Sequence, residues 1–162
     1  MYTNTKMCLL VLFIMLGVAN ITLAASSVTQ SVNFQVSAVN EITVAGAPSL
    51  TINTGTAGSD LSDVTAAATY SITTNGSGKK ITGQITTGGD MPSGTALKIN
   101  LTAPTGGTSA LTQTLISTGS VDLVTGVTKT LGSGLGITYT FSASVAAGEV
   151  SGSRTVTLTI TN

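Results

Sequence analysis

The chain has 162 residues, formal net charge zero, one cysteine, no histidine and no tryptophan. With charged residues at only 7%, it offers no electrostatic footprint for nucleic acid or for anionic lipid. The commonest general base is missing and the lone cysteine is at position 8, so composition argues against an enzyme and against a bound cofactor or metal.

The chain begins with the pattern of an export signal. Lys6 supplies a positive start, residues 7–18 are apolar apart from Gly17, and Thr22 and Ala24 put small side chains at the −3 and −1 positions before Ala25. A signal peptide over residues 1–24 is therefore expected, leaving a secreted or cell-surface chain of about 138 residues. Cleavage would remove Cys8, so the mature chain would fold without disulfides. Its length suits a single domain with its own core. No later stretch has the roughly 20 apolar residues of a membrane span, and no anchor is expected after the leader.

Residues 28–38 alternate cleanly. Val28, Val32, Phe34, Val36 and Ala38 fall on one face, and Thr29, Ser31, Asn33, Gln35 and Ser37 on the other. This period of two predicts a strand. The phase breaks at Val39-Asn40-Glu41 and resumes at Ile42 and Val44, which suggests a bulge or a change of sheet. Leu50 and Ile52 predict a short strand, and residues 54–63 a polar loop.

Tyr70 and Ile72 are expected to pair with Ile81 and Ile85 across Asn75-Gly76-Ser77-Gly78, whose Asn and Gly accept the positive φ of tight hairpins. Residues 95–103 predict a strand with Leu97, Ile99 and Leu101 inward and Lys98 and Asn100 outward. Weaker strands are expected at 111–117, 121–124 and 127–131, followed by a flexible turn at Gly132-Ser133-Gly134-Leu135-Gly136. The last two strands carry Ile137, Tyr139, Phe141, Ala143 and Val145, then Val156, Leu158 and Ile160. The three prolines stand at strand borders, where a missing N–H costs least.

About eight to ten such strands predict an all-β, immunoglobulin-like antiparallel β-sandwich, with a β-barrel as the alternative. The core is thin, and its aromatic filling is expected from Phe34, Tyr70, Tyr139 and Phe141, with Phe34 and Phe141 buried.

Candidate chemistry is sparse. Asp60, Asp63, Asp90 and Glu149 could in principle supply a carboxylate pair, but their spacing selects none. Asp60 and Asp63 could offer oxygen ligands to calcium, although a local turn or cap explains them more simply. Asn75-Gly76-Ser77 and Asn100-Leu101-Thr102 match the short glycan-acceptor pattern. Thr155, Thr157, Thr159 and Thr161 line one side of the last strand, where a solvated strand face accounts for them.

The chain end offers more. A strand at 28–38 could pair within its own domain, the commoner arrangement, or be donated to a neighbouring copy. In the second case Val32, Phe34, Val36 and Ala38 would fill successive pockets while backbone hydrogen bonds supply affinity.

The leader, the strand at 28–38, the Thr-rich strands and the closing run Thr157-Leu158-Thr159-Ile160-Thr161-Asn162 together resemble secreted, cysteine-free β-sandwich proteins of bacterial surfaces, including fimbrial and biofilm-filament subunits. The resemblance implies a non-enzymatic structural or adhesive role in a pilus-like or biofilm setting, with copies of the chain itself or other envelope or matrix components as partners. It departs from chaperone-usher subunits, which commonly carry a disulfide and an aromatic residue near the C-terminus. A soluble extracellular module binding carbohydrate or another small ligand is the competing reading, weakened by the presence of only four aromatic residues after the leader.

Overall fold

A computed structural model describes residues 26–162. The expected leader at 1–24 and its cleavage point lie outside the described residues. By contacts the chain divides into residues 1–35 and residues 36–162, and both sheets belong to the second unit.

Val, Ile and Thr suit a pleated surface with one face buried, and the described residues form nine strands: β1 (Asn40–Ala45), β2 (Val64–Thr74), β3 (Lys79–Thr87), β4 (Thr95–Leu101), β5 (Thr108–Ser109), β6 (Gln113–Thr114), β7 (Val121–Val127), β8 (Thr130–Ala143) and β9 (Thr155–Thr161). They form two antiparallel sheets, β1-β2-β8-β4-β6 and β5-β7-β3-β9. The chain is thus an all-β, two-layered sandwich, and neither sheet closes into a barrel.

The core follows from the inward set of each strand. Tyr70 and Ile72 of β2, Leu97, Ile99 and Leu101 of β4, and Ile137 and Tyr139 of β8 are buried from one layer. Ile81 and Ile85 of β3, Leu123, Val124 and Val127 of β7, and Leu158 of β9 are buried from the other. Together they make one cluster. The Tyr70 hydroxyl donates to the Thr102 carbonyl at 2.6 Å, so its buried polar atom is satisfied. Burial pushes the Tyr70 phenol up to about 12, and it raises Tyr139 as well.

Several expectations are corrected. β2 and β3 do not form a hairpin. β2 pairs with β1 and β8, while β3 pairs with β7 and β9, so residues 75–78 carry the chain from one sheet to the other. Tyr70 and Ile72 meet Ile81 and Ile85 through the core. The supposed turn at 132–136 lies inside β8. There Ser133 and Gly134 both fall opposite Ser71, between the pairs Ile72 with Gly132 and Tyr70 with Leu135. This is a β-bulge, and Gly134 takes φ 63° to make it.

The 111–117 strand shrinks to Gln113–Thr114, and the candidates at 121–124 and 127–131 become β7 and the start of β8. β8 ends at Ala143, and Val145 opens a short 3-10 turn, Val145–Ala147. Residues 50–52 form no strand, although Leu50 and Ile52 are half-buried. Phe141 is only half-buried because it pairs with Val64 and Leu97 near the ends of their strands.

Candidate functional site

A sandwich has four sheet edges, each a row of unpaired backbone donors and acceptors that can pair with another chain. Here the outer strands are β1 and β6 of one sheet and β5 and β9 of the other. β5 and β6 are two residues long, which leaves little to pair with.

The chain around β6 also closes one side of the sandwich. The Leu115 N–H donates to the Leu97 carbonyl of β4 at 2.9 Å, and the Ile85 N–H of β3 donates to the Ile116 carbonyl at 3.0 Å. One short run therefore bonds to both sheets. The Leu115 side chain, 2% exposed, enters the core between them. It fits because Gly83 has no side chain: a Cβ there would come within 3.2 Å of Leu115 Cδ2 and 2.7 Å of Leu123 Cδ1. Gln84 adds a bond from Nε2 to the Ser117 carbonyl at 2.8 Å. Asp90 Oδ1 accepts from the Ser117 hydroxyl at 2.7 Å and from its N–H at 2.9 Å. These bonds, the hydroxyl's foremost, hold the Asp90 carboxyl below its usual range, with a smaller contribution from the Arg154 charge.

The opposite side, between β1 and β9, has no such closure. β9 pairs only with β3 and β1 only with β2. The cross-strand partners of Ile42 and Val44 are the buried Ile72 and Tyr70, so both point toward the core. Yet Val44 is 52% exposed and Ile42 half-buried. Across from them, Val156 and Ile160 of β9 pair with the buried Ile85 and Ile81 and are themselves half-covered. Ile42, Val156 and Ile160 pack against the core and are covered only in part, Val44 is left the most exposed of the four, and among the described residues no further strand lies beside β1 or β9.

The N-terminal segment has complementary properties. Residues 26–39 belong to no strand, and each is exposed. Of the predicted strand-partner residues, Val32 is 75%, Phe34 94% and Val36 83% exposed, and Ala38 is exposed as well. The expected strand at 28–38 with a buried Phe34 is thus corrected: period two selects a face, but without a ladder that face has no layer to pack on.

The end of the segment is held through Asn75. Asn75 Oδ1 accepts from the Val39 N–H at 2.8 Å, Asn75 Nδ2 donates to the Ser37 carbonyl at 2.7 Å, and the Asn75 N–H donates to the Val39 carbonyl at 3.2 Å. The break expected at residues 39–41 coincides with the place where pairing begins.

The other candidate residues have structural employment. Asp60 Oδ1 accepts from the Leu61 N–H at 3.0 Å and from the Val145 N–H at 2.9 Å. Asp63 lies 3.7 Å from Lys98. Both acids border a shallow, open depression shared with Lys98 and Ser142. Among the described residues no three His, Cys, Asp or Glu side chains group as a metal site would require. Lys80 pairs with Asp122 at 2.9 Å. Thr155, Thr157 and Thr159 are exposed on β9, where Thr157 shares a 2.8 Å hydroxyl bond with Thr86.

No helix of the described residues is long and apolar enough to cross a membrane. No protein-family model, curated protein or solved structure matches the chain.

Proposed function

We propose that this chain is an exported, non-enzymatic structural or adhesive protein of the cell surface. It acts as a fimbria-like or filament subunit whose N-terminal segment adds a strand to a neighbouring copy. The observation that carries this reading is the exposed apolar row Val32, Phe34 and Val36 on a backbone with no ladder of its own. Burying a Val or Phe side chain yields about 1.5–3 kcal/mol, so such a row in water is a standing drive toward association. A strand given by each copy to the next is a heterologous contact, and its repetition builds an open filament.

The test compares the chain from Ala25 onward with the same chain lacking residues 25–38, by size-exclusion chromatography and negative-stain microscopy. Oligomers or filaments formed by the longer chain are expected to vanish on truncation. A longer chain that remains monomeric at every concentration would contradict the proposal.

A further inference from the structure

We infer that the acceptor for the donated segment is the free edge of β9 in a second copy, with Val32, Phe34, Val36 and Ala38 lying in the seam between β9 and β1. This inference rests on the proposed strand addition and assigns its receiving surface.

The assignment follows from comparing the four edges. β5 and β6 are too short to template a long strand. β1 spans six residues and carries the carboxylate of Glu41, the kind of side chain that guards an edge. β9 has no guard. Its sequence Thr-Val-Thr-Leu-Thr-Ile-Thr holds no charge, no proline and no glycine, and its register with β3 is unbroken from Val156 to Thr161.

The seam beside that edge is chemically matched to the segment. Its inward side chains, Ile42 and Val44 of β1 and Val156, Leu158 and Ile160 of β9, recur at every second residue, the spacing of the apolar residues in 32–38. Residues 26–38 carry no charge, so no ionised group would be buried on entry, a requirement for a dry seam. With the apolar row inward, Ser31, Asn33, Gln35 and Ser37 would continue the hydroxyl-rich outer face of β9, which already presents Thr155, Thr157 and Thr159 to solvent.

Site-directed disulfides test this placement, because the chain from Ala25 has no cysteine of its own. A donor variant, Gln35→Cys, is mixed with acceptor variants Thr157→Cys, Thr159→Cys or, on the competing edge, Thr43→Cys. All four positions are exposed, so folding is not at stake, and oligomer formation is followed separately by sizing. Cross-linked mixed dimers at Thr157 or Thr159 and not at Thr43, lost when Phe34→Asp is added to the donor, are the expected result. Oligomers that cross-link at Thr43 instead, or at none of these positions, would overturn the β9 assignment while leaving strand addition standing. Absence of oligomers with every pair would overturn the strand-addition reading itself, and this inference with it.

Discussion

The two long sides of the sandwich use the same residue types and end differently. On one side, Leu97 and Ile85 each bond to the run 115–116, and Leu115 closes the layer gap from within. On the other, Ile42 and Val44 face Val156 and Ile160 across a seam that no backbone bridges. A sheet edge is satisfied either by the chain itself or by something outside it. On the closed side one short run places a single apolar side chain, Leu115, between the layers, and among the described residues no such run lies between β1 and β9.

Substitutions that unequally affect the two sides would sharpen this contrast. Leu115→Ala removes the plug of the closed side and is expected to cost about 2–5 kcal/mol, as for other fully buried leucines. Urea denaturation checks it.

The next effect comes from alkali. The Tyr70 phenol ionises near 12 in the folded chain and near 10 when unfolded. The raised folded value means that the stabilisation is complete below about pH 10 and is lost as pH rises toward 12. A shift of two pKa units corresponds to about 2–3 kcal/mol. Tyr70→Phe should flatten that part of the stability profile, leaving the smaller slope due to Tyr139.

Val44→Ala on the open side should cost the isolated subunit less than about 1 kcal/mol, since half of that side chain is already in water. A loss comparable to that of Leu115→Ala would mean that the seam is filled within the monomer. The smallest change concerns Leu111, which is exposed and holds a left-handed φ of 62°. Leu111→Gly relieves a conformation that costs a side-chain-bearing residue about 1–2 kcal/mol, offset in part by glycine's greater freedom when unfolded. A rise in melting temperature of a few degrees is the expected outcome, visible by circular dichroism.

Much of the fold could be read from alternation. The buried residues Leu97, Ile99, Leu101, Ile137, Tyr139 and Leu158 all belong to the inward sets expected of β4, β8 and β9, whereas Phe141, Ala143, Val156 and Ile160 of those sets are half-buried and Val145 is exposed beyond the end of β8. Alternation reports which face is apolar and is silent on which sheet a strand joins. That is why Tyr70 and Ile81 were expected side by side and are found across the core. Glycine misled for a related reason: Gly132, Gly134 and Gly136 look like a turn, and the chain uses them to carry a bulge through a long strand.

The candidate site was half legible. The apolar row at 28–38 was plain from its spacing, and its exposure was not, because spacing says nothing about whether a second layer is present. The open seam left only a faint trace, the lack of charge and proline in residues 155–161. The closure opposite depends on two-residue strands too brief for any periodicity.

The most direct measurement is amide hydrogen exchange on the chain from Ala25, at concentrations below and above the onset of association. Residues 28–38 and those β9 amides that point away from β3 are expected to exchange freely in the dilute subunit and to become protected together as oligomers form, while the β9 amides bonded to β3 and those of Leu115 and Ile85 are protected throughout. Equal protection of residues 28–38 at both concentrations would contradict it.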